Sequence, residues 1–357
     1  MSNNSKSFRL SLFPHTSSMP RKSLLTVPQS YSSIVFRHIK VSHVPASSPN
    51  PTAVILVTLN RPDKHNTFTD FMQKDLERIY ELLDIDPRVR VIVLTGAGRS
   101  FCAGADLDIL FPETKDETRK VQSLEAERDV DHRDGYDTTE SNGTSIILTS
   151  NRGGRVSLAI HHCSKPTIVA INGSAVGVGI TMCLAACIRV VYAKAKVGFV
   201  FSRRGTIMEA CSSYFLPRLI GHSRSLHLAI TGSVYTADNP IFGALFSKIC
   251  PSPEATLTCA LDLADEVAKN TSTVSTKVIR ELMYRGPDSA EGTHLLDSKI
   301  IYNMFSSRDN AEGVESFLQK RRAIFTNQVT KNSPPGYPWW HQIDVSSKPR
   351  DTRATKL

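Results

Sequence analysis

The first 62 residues of this 357-residue chain contain no Asp or Glu, only seven Lys or Arg. Residues 331–357 add five basic side chains against two acidic ones, so the formal net charge of +9 belongs to the two ends and residues 63–330 are nearly neutral. Proteins that track phosphates need clustered positive charge on the folded surface, and this distribution argues against a nucleic-acid partner. The seven cysteines are odd in number and contain no C-x-x-C pair, which gives neither a disulfide framework nor a zinc site. Cys183 and Cys187, four apart, read as small buried side chains on one helix face. His161-His162-Cys163 is no better as a metal cluster, because adjacent residues on a helix diverge by roughly 100°. The chain has no G-x-x-x-x-G-K-[ST] phosphate loop. Gly177-x-Gly179 lacks the third glycine and downstream acid of a dinucleotide fingerprint, and Ser174 follows Gly173 too closely for a nucleophile elbow. The longest apolar stretch, Thr167–Ile188, is interrupted by Asn172-Gly173-Ser174, so it reads as strand, tight turn and buried helix and predicts no membrane span.

With 40% hydrophobic residues, the chain can bury a sizeable core plus one subsidiary unit. Residues 1–50, rich in Ser, Pro and basic groups, read as a disordered leader. Residues 51–252 carry the core pattern. Ala53–Leu59 is apolar throughout and predicts a buried strand. A helix follows from Thr67 or Thr69, with Met72, Leu76, Ile79, Tyr80 and Leu83 forming one apolar stripe. Val89–Thr95 is the next strand, and this order predicts an α/β fold built from crossover units. Residues 112–152 are polar and interrupt the core pattern, either as a lid over a substrate or as a plain loop. Helical spacing dominates residues 253–330. The tail, 331–357, holds Trp339-Trp340 and ends in Thr355-Lys356-Leu357, similar to the Ser-Lys-Leu peroxisomal address. The expected location is therefore the peroxisome, with the mitochondrion as the alternative that the basic leader suggests.

Two glycine-bearing turns, each directly after a predicted strand, carry the chemistry. They are Ser100-Phe101-Cys102-Ala103-Gly104-Ala105-Asp106 and Asn172-Gly173-Ser174-Ala175-Val176-Gly177-Val178-Gly179. Small residues there leave backbone N–H groups bare, so two can converge on one carbonyl oxygen and stabilise developing negative charge. Together with Leu59-Asn60-Arg61-Pro62, Asn66 and the strands before each turn, this pair resembles the enoyl-CoA hydratase/isomerase (crotonase) family from about Ile55 to Phe325. The resemblance implies a crotonase-like ββα spiral core with a C-terminal helical trimerisation region, a homotrimer or hexamer, and an acyl-CoA substrate. No separate cofactor is implied, since coenzyme A enters as part of the substrate. Carried over residue by residue, the oxyanion donors are the N–H groups of Ala103 and Val178, with Gly104, Ala105, Asp106 and Gly177 completing the substrate-binding turns. Asp106 reads as a structural acceptor of nearby N–H groups. Arg61 and Lys64 are candidates for the coenzyme A phosphates. Arg203-Arg204 either meets those phosphates or covers a helix edge.

The two glutamates of a hydratase fall here on Thr181 and Phe201, neither able to move a proton at neutral pH. Gly205-Thr206-Ile207-Met208-Glu209-Ala210-Cys211-Ser212-Ser213-Tyr214 instead resembles the stretch of peroxisomal Δ3-Δ2-enoyl-CoA isomerases that carries a single glutamate base. Glu209 is the only glutamate between Cys187 and Pro251. A lone acid in apolar surroundings has its pKa raised by desolvation, which suits a proton shuttle. Isomerisation of a 3-enoyl-CoA, in β-oxidation or on the acyl chain of a secondary metabolite, is the leading expectation. A hydratase taking a second acid from the lid, such as Asp131 or Asp134, is an alternative, as is a non-catalytic coenzyme A- or RNA-binding relative.

Overall fold

A computed structural model describes residues 25–106 and 152–343. Its main sheet has six strands in the order β1 (Ile39–His43), β2 (Val54–Leu59), β3 (Val91–Gly96), β5 (Thr167–Ile171), β7 (Ile188–Tyr192) and β10 (Lys248–Cys250). All pairs are parallel except β1 with β2. A smaller sheet joins β4 (Ser100–Cys102), β6 (Ser174–Val176), β8 (Lys196–Gly198) and β9 (Val234–Thr236). Three times the chain leaves the main sheet, turns within a few residues and enters the smaller one: β3 to β4, β5 to β6 and β7 to β8. Helices α1 (Asp70–Ile85), α2 (Arg152–His162), α3 (Val178–Thr181) and α4 (Ser212–Thr231) separate these repeats. This is the expected ββα spiral.

All six residues of β3 are buried, as they must be for a parallel strand covered on both faces. Alternate residues serve different layers. Ile92 and Leu94 join the core under α1, whereas Val91 and Val93 face Ala260, Ala264 and Ala268 of α5 (Pro253–Asn270). The i, i+4 alanine spacing lets α5 lie close against the sheet. Thr69 caps α1 by accepting from Met72 N–H at 3.1 Å, and the predicted stripe from Met72 to Leu83 is buried.

The C-terminal unit continues with α6 (Thr273–Arg285), α7 (Ala290–Phe305), α8 (Arg308–Leu318) and α9 (Val329–Asn332). A buried charge cluster ties α6 to the end of α2. Lys277 and Arg285 meet the Glu281 carboxylate at 2.6 and 2.7 Å, while Lys277 and Arg280 donate to the carbonyls of His162 and Cys163. Trp339 donates its indole N–H to the Arg285 carbonyl at 3.0 Å, anchoring the start of the tail against the same helix.

Two expectations need correction. The leader does not run to residue 50: β1 pairs with β2 over five residues, and Tyr31 is fully buried with its hydroxyl on Asp86 at 2.9 Å. Only Ile39 and Val41 mark this edge strand, too short an alternation to stand out among Ser, Pro and basic residues. Cys183 and Cys187 do not share a helix face. Cys183 lies in a tight 3-10 turn (Met182–Ala185), and Cys187 is exposed beyond the extended Ala186. Of the expected lid at 112–152 only Arg152 is described, and it opens α2; the rest, with the candidates Asp131 and Asp134 and the terminal Thr-Lys-Leu, lies outside the described residues.

Candidate active site

The spiral stacks the two glycine turns against each other. A Cβ on Gly104 would stand 3.1 Å from the Val176 carbonyl, and one on Gly179 would stand 2.2 Å from the Cys102 carbonyl. Side chains at these points would force the turns apart. Gly104 also takes φ +106°, a conformation that favours glycine and turns the next peptide over.

That peptide has a fixed direction. The Gly104 carbonyl accepts from Phe68 N–H at 2.8 Å, and in a trans peptide the N–H of Ala105 must point the opposite way. Ala103 N–H, the expected donor, is instead spent on the His65 carbonyl at 3.1 Å. Ala103 N–H is thus occupied, and Ala105 N–H, directed away from Phe68, replaces it as the first turn's candidate donor. Val178 opens α3, and its N–H belongs to the first turn, where no intrahelical acceptor exists.

Glu209 sits on the turn between β8 and α4. Ala210 and Cys211, which follow it, both adopt left-handed backbone with φ 57° and 55°. Neither is glycine, so the turn is strained, and the Glu209 carbonyl steadies it by accepting from Ser212 N–H and Oγ. The side chain runs back toward α3. Its Oε1 accepts from the Thr181 hydroxyl at 2.7 Å. Its Oε2 lies so close to Gly153 of α2 that a Cβ there would meet it at 1.9 Å, while Val178 Cγ2 would stand 3.0 Å from the same point. The carboxylate and the Val178 side chain thus border the same small space beside Gly153. Burial raises the Glu209 carboxyl to about 6, opposed by the Thr181 hydroxyl. Such a group is mostly ionised at neutral pH yet close enough to it to give a proton back. The nearby Cys102 thiol is pushed up to about 12 by burial and stays protonated.

The other predicted residues separate by role. Arg61 pairs with Asp106 at 3.0 Å and also donates to Thr67, so it braces the first turn and is not poised for phosphate. Asp106 accepts from the Arg61 guanidinium at 3.0 Å and from the Thr67 hydroxyl at 3.1 Å. Lys64 is exposed on the short turn Pro62–Lys64. Arg203 donates to the Thr231 carbonyl and Ser233 Oγ, the helix-edge alternative. His161 packs edge-on to Phe215 and Tyr284, and no metal-binding group of His, Cys, Asp or Glu occurs among the described residues. The sequence reading missed Gly153 and treated Thr181 as a mere vacancy. A short polar residue one helical turn after the second glycine run was the available signal for Thr181. Nothing local marked Gly153.

The family profile described as Enoyl-CoA hydratase/isomerase matches residues 54–261, more than half the chain. The chain belongs to the enoyl-CoA hydratase/isomerase family. It is 39% identical over 307 residues to the enoyl-CoA hydratase AFT3-1 of Alternaria alternata, covering 86% of this chain and 93% of that one. It is 32% identical to the mevalonyl-coenzyme A hydratase SIDH of Beauveria bassiana, covering 78% and 93%, and 30% identical to the 1,2-epoxyphenylacetyl-CoA isomerase of Escherichia coli, covering 77% and 95%. Among solved structures, the enoyl-CoA hydratase of Bacillus anthracis superposes with a TM-score of 0.65 at 24% identity, covering 82% of this chain and all of that one. The protein is accordingly an acyl-CoA enzyme of this family.

Proposed function

We propose that this member of the family isomerises 3-enoyl-CoA to trans-2-enoyl-CoA. The observation that carries the reading is the position of Glu209: its carboxylate is held by Thr181 and borders, with the Val178 side chain, the space beside Gly153, while Thr181 and Phe201 occupy the positions that the family resemblance gives to a hydratase's two acids. The thioester oxygen accepts from the N–H groups of Ala105 and Val178. Glu209 takes the proton from C2, and the electron pair of that C–H bond moves into a dienolate whose negative charge rests on the held oxygen. The same carboxyl then returns the proton to C4 as the double bond settles between C2 and C3. No water is added and nothing leaves, so one acid suffices. Each N–H donor supplies roughly 3 to 4 kcal/mol of barrier lowering.

The fungal relatives, named as hydratases, favour a second reading, water addition to a 2-enoyl-CoA. That reaction needs a second proton carrier. One spectroscopic assay separates the two. Purified protein and Glu209→Gln are each given 3-enoyl-CoA and 2-enoyl-CoA. Isomerisation lost by at least a thousandfold in the variant supports the first reading; hydration by the parent supports the second. A homotrimer or hexamer is proposed on the apolar side chains exposed on α7 and α8, such as Leu295, Phe305 and Phe317. A peroxisomal location is proposed on the Thr-Lys-Leu ending.

A further inference from the structure

We propose that Thr181 is a positioning residue for the proton transfer: its hydroxyl holds Oε1 of Glu209 and leaves Oε2 as the oxygen that carries the substrate proton. The inference rests on the reading of Glu209 as the base.

Thr181 is completely buried on α3, one turn beyond Gly177. Its single hydroxyl proton has two acceptors in reach, Glu209 Oε1 at 2.7 Å and the Gly177 carbonyl at 3.2 Å. A carboxylate is the stronger acceptor, so the hydroxyl points to Glu209 while that group is ionised. Once Glu209 has taken a proton the charge-assisted bond weakens, and the hydroxyl can turn to the Gly177 carbonyl. It therefore has an acceptor in both protonation states, and neither state leaves a buried donor unsatisfied. Gly177 precedes Val178, so the same hydroxyl links the base to the peptide beside the oxyanion donor. With Oε1 engaged, the remaining oxygen is fixed by space. Oε2 lies where only hydrogen on Gly153 gives it room, at a spot that Val178 Cγ2 also borders.

The groups facing Glu209 are few among the described residues. They are Thr181 and Val178 of α3, Gly153 of α2, the Cys102 thiol of β4 and the Cys211 thiol of its own turn. Burial keeps both thiols protonated, and no cation among the described residues bears on the carboxyl. Thr181 is thus the specific partner that holds the carboxyl down against burial.

The test compares Thr181→Val, which keeps the shape and removes the hydroxyl, with Thr181→Ser, which keeps the hydroxyl. Losing a donor to the ionised form raises the pKa. The acid limb of kcat/KM should therefore move to higher pH by about one unit in Thr181→Val, the size expected of a charged hydrogen bond. Its kcat should fall about tenfold with KM changed less than twofold, while Thr181→Ser stays within threefold of the parent with its limb unmoved. Thr181→Ala reads the same limb if Thr181→Val does not fold. A ¹³C titration of the Glu209 carboxyl gives the same shift without any substrate. An unmoved titration in Thr181→Val, or equal losses in the Val and Ser variants, overturns the proposal. Parent-like turnover by Glu209→Gln overturns the base assignment instead, so the two failures are distinguishable.

Discussion

The closest test of the site geometry is a single methyl group at Gly153. A Cβ added there meets Glu209 Oε2 at 1.9 Å and Glu209 Cδ at 2.9 Å. Ordinary contact needs about 3.4 Å, so the carboxylate must retreat by roughly 1.5 Å. The atom in the way is the far end of a side chain, so the fold can absorb the change. The catalyst cannot, because a displacement of about 1 Å in a reacting group costs on the order of 10²-fold, or about 2.7 kcal/mol in the barrier. Gly153 lies in the first turn of α2, where alanine is favoured over glycine by at most about 1 kcal/mol. Gly153→Ala is therefore expected to melt at the same temperature as the parent or a few degrees higher, while kcat drops about a hundredfold and KM changes little. Steady-state kinetics on 3-enoyl-CoA beside a thermal melt measure both halves. A variant within threefold of the parent in kcat would show that the carboxylate does not work from where it lies, and the argument for Glu209 beside Val178 would fail with it.

Acid should destabilise the fold in two stages. Burial pushes His161 down to about 3, so an unfolded chain binds more protons than the folded one once the pH drops below about 6.5, and stability falls from there. Burial would raise Glu281, yet Lys277, Arg280 and Arg285 hold it at about 2, so its contribution is complete above about 4.3 and is lost as the pH falls toward 2. Melting temperatures recorded from pH 7 to 3 should decline throughout, and a flat curve between 7 and 4.5 would contradict the buried His161. On α8, Phe317 and Leu318 are 81% and 73% exposed. Phe317→Asp should lower the oligomeric mass seen by light scattering, whereas an unchanged mass would move the subunit interface elsewhere.

The spiral was legible because its strands are buried on both faces and read as unbroken apolar runs, and because each glycine turn follows such a run directly. Glu209 was legible for a related reason: an isolated acid in an apolar stretch has few structural uses. Edge strand β1 was not, since half of a two-sided pattern over five residues is indistinguishable from a Ser-rich leader. The exchange of Ala103 for Ala105 shows a different limit. Both residues flank Gly104, both are alanine, and composition treats them alike. What separates them is the direction of one peptide plane, fixed when Phe68 N–H takes the Gly104 carbonyl and turns the following amide the opposite way. That bond joins the segment before α1 to the segment after β4, so its outcome is a property of the assembled spiral. Thr181 follows the same logic. Read along the chain it is an acid that is missing, and only when β8 and α4 bring Glu209 to within 2.7 Å does its hydroxyl become the group that holds the remaining acid in place.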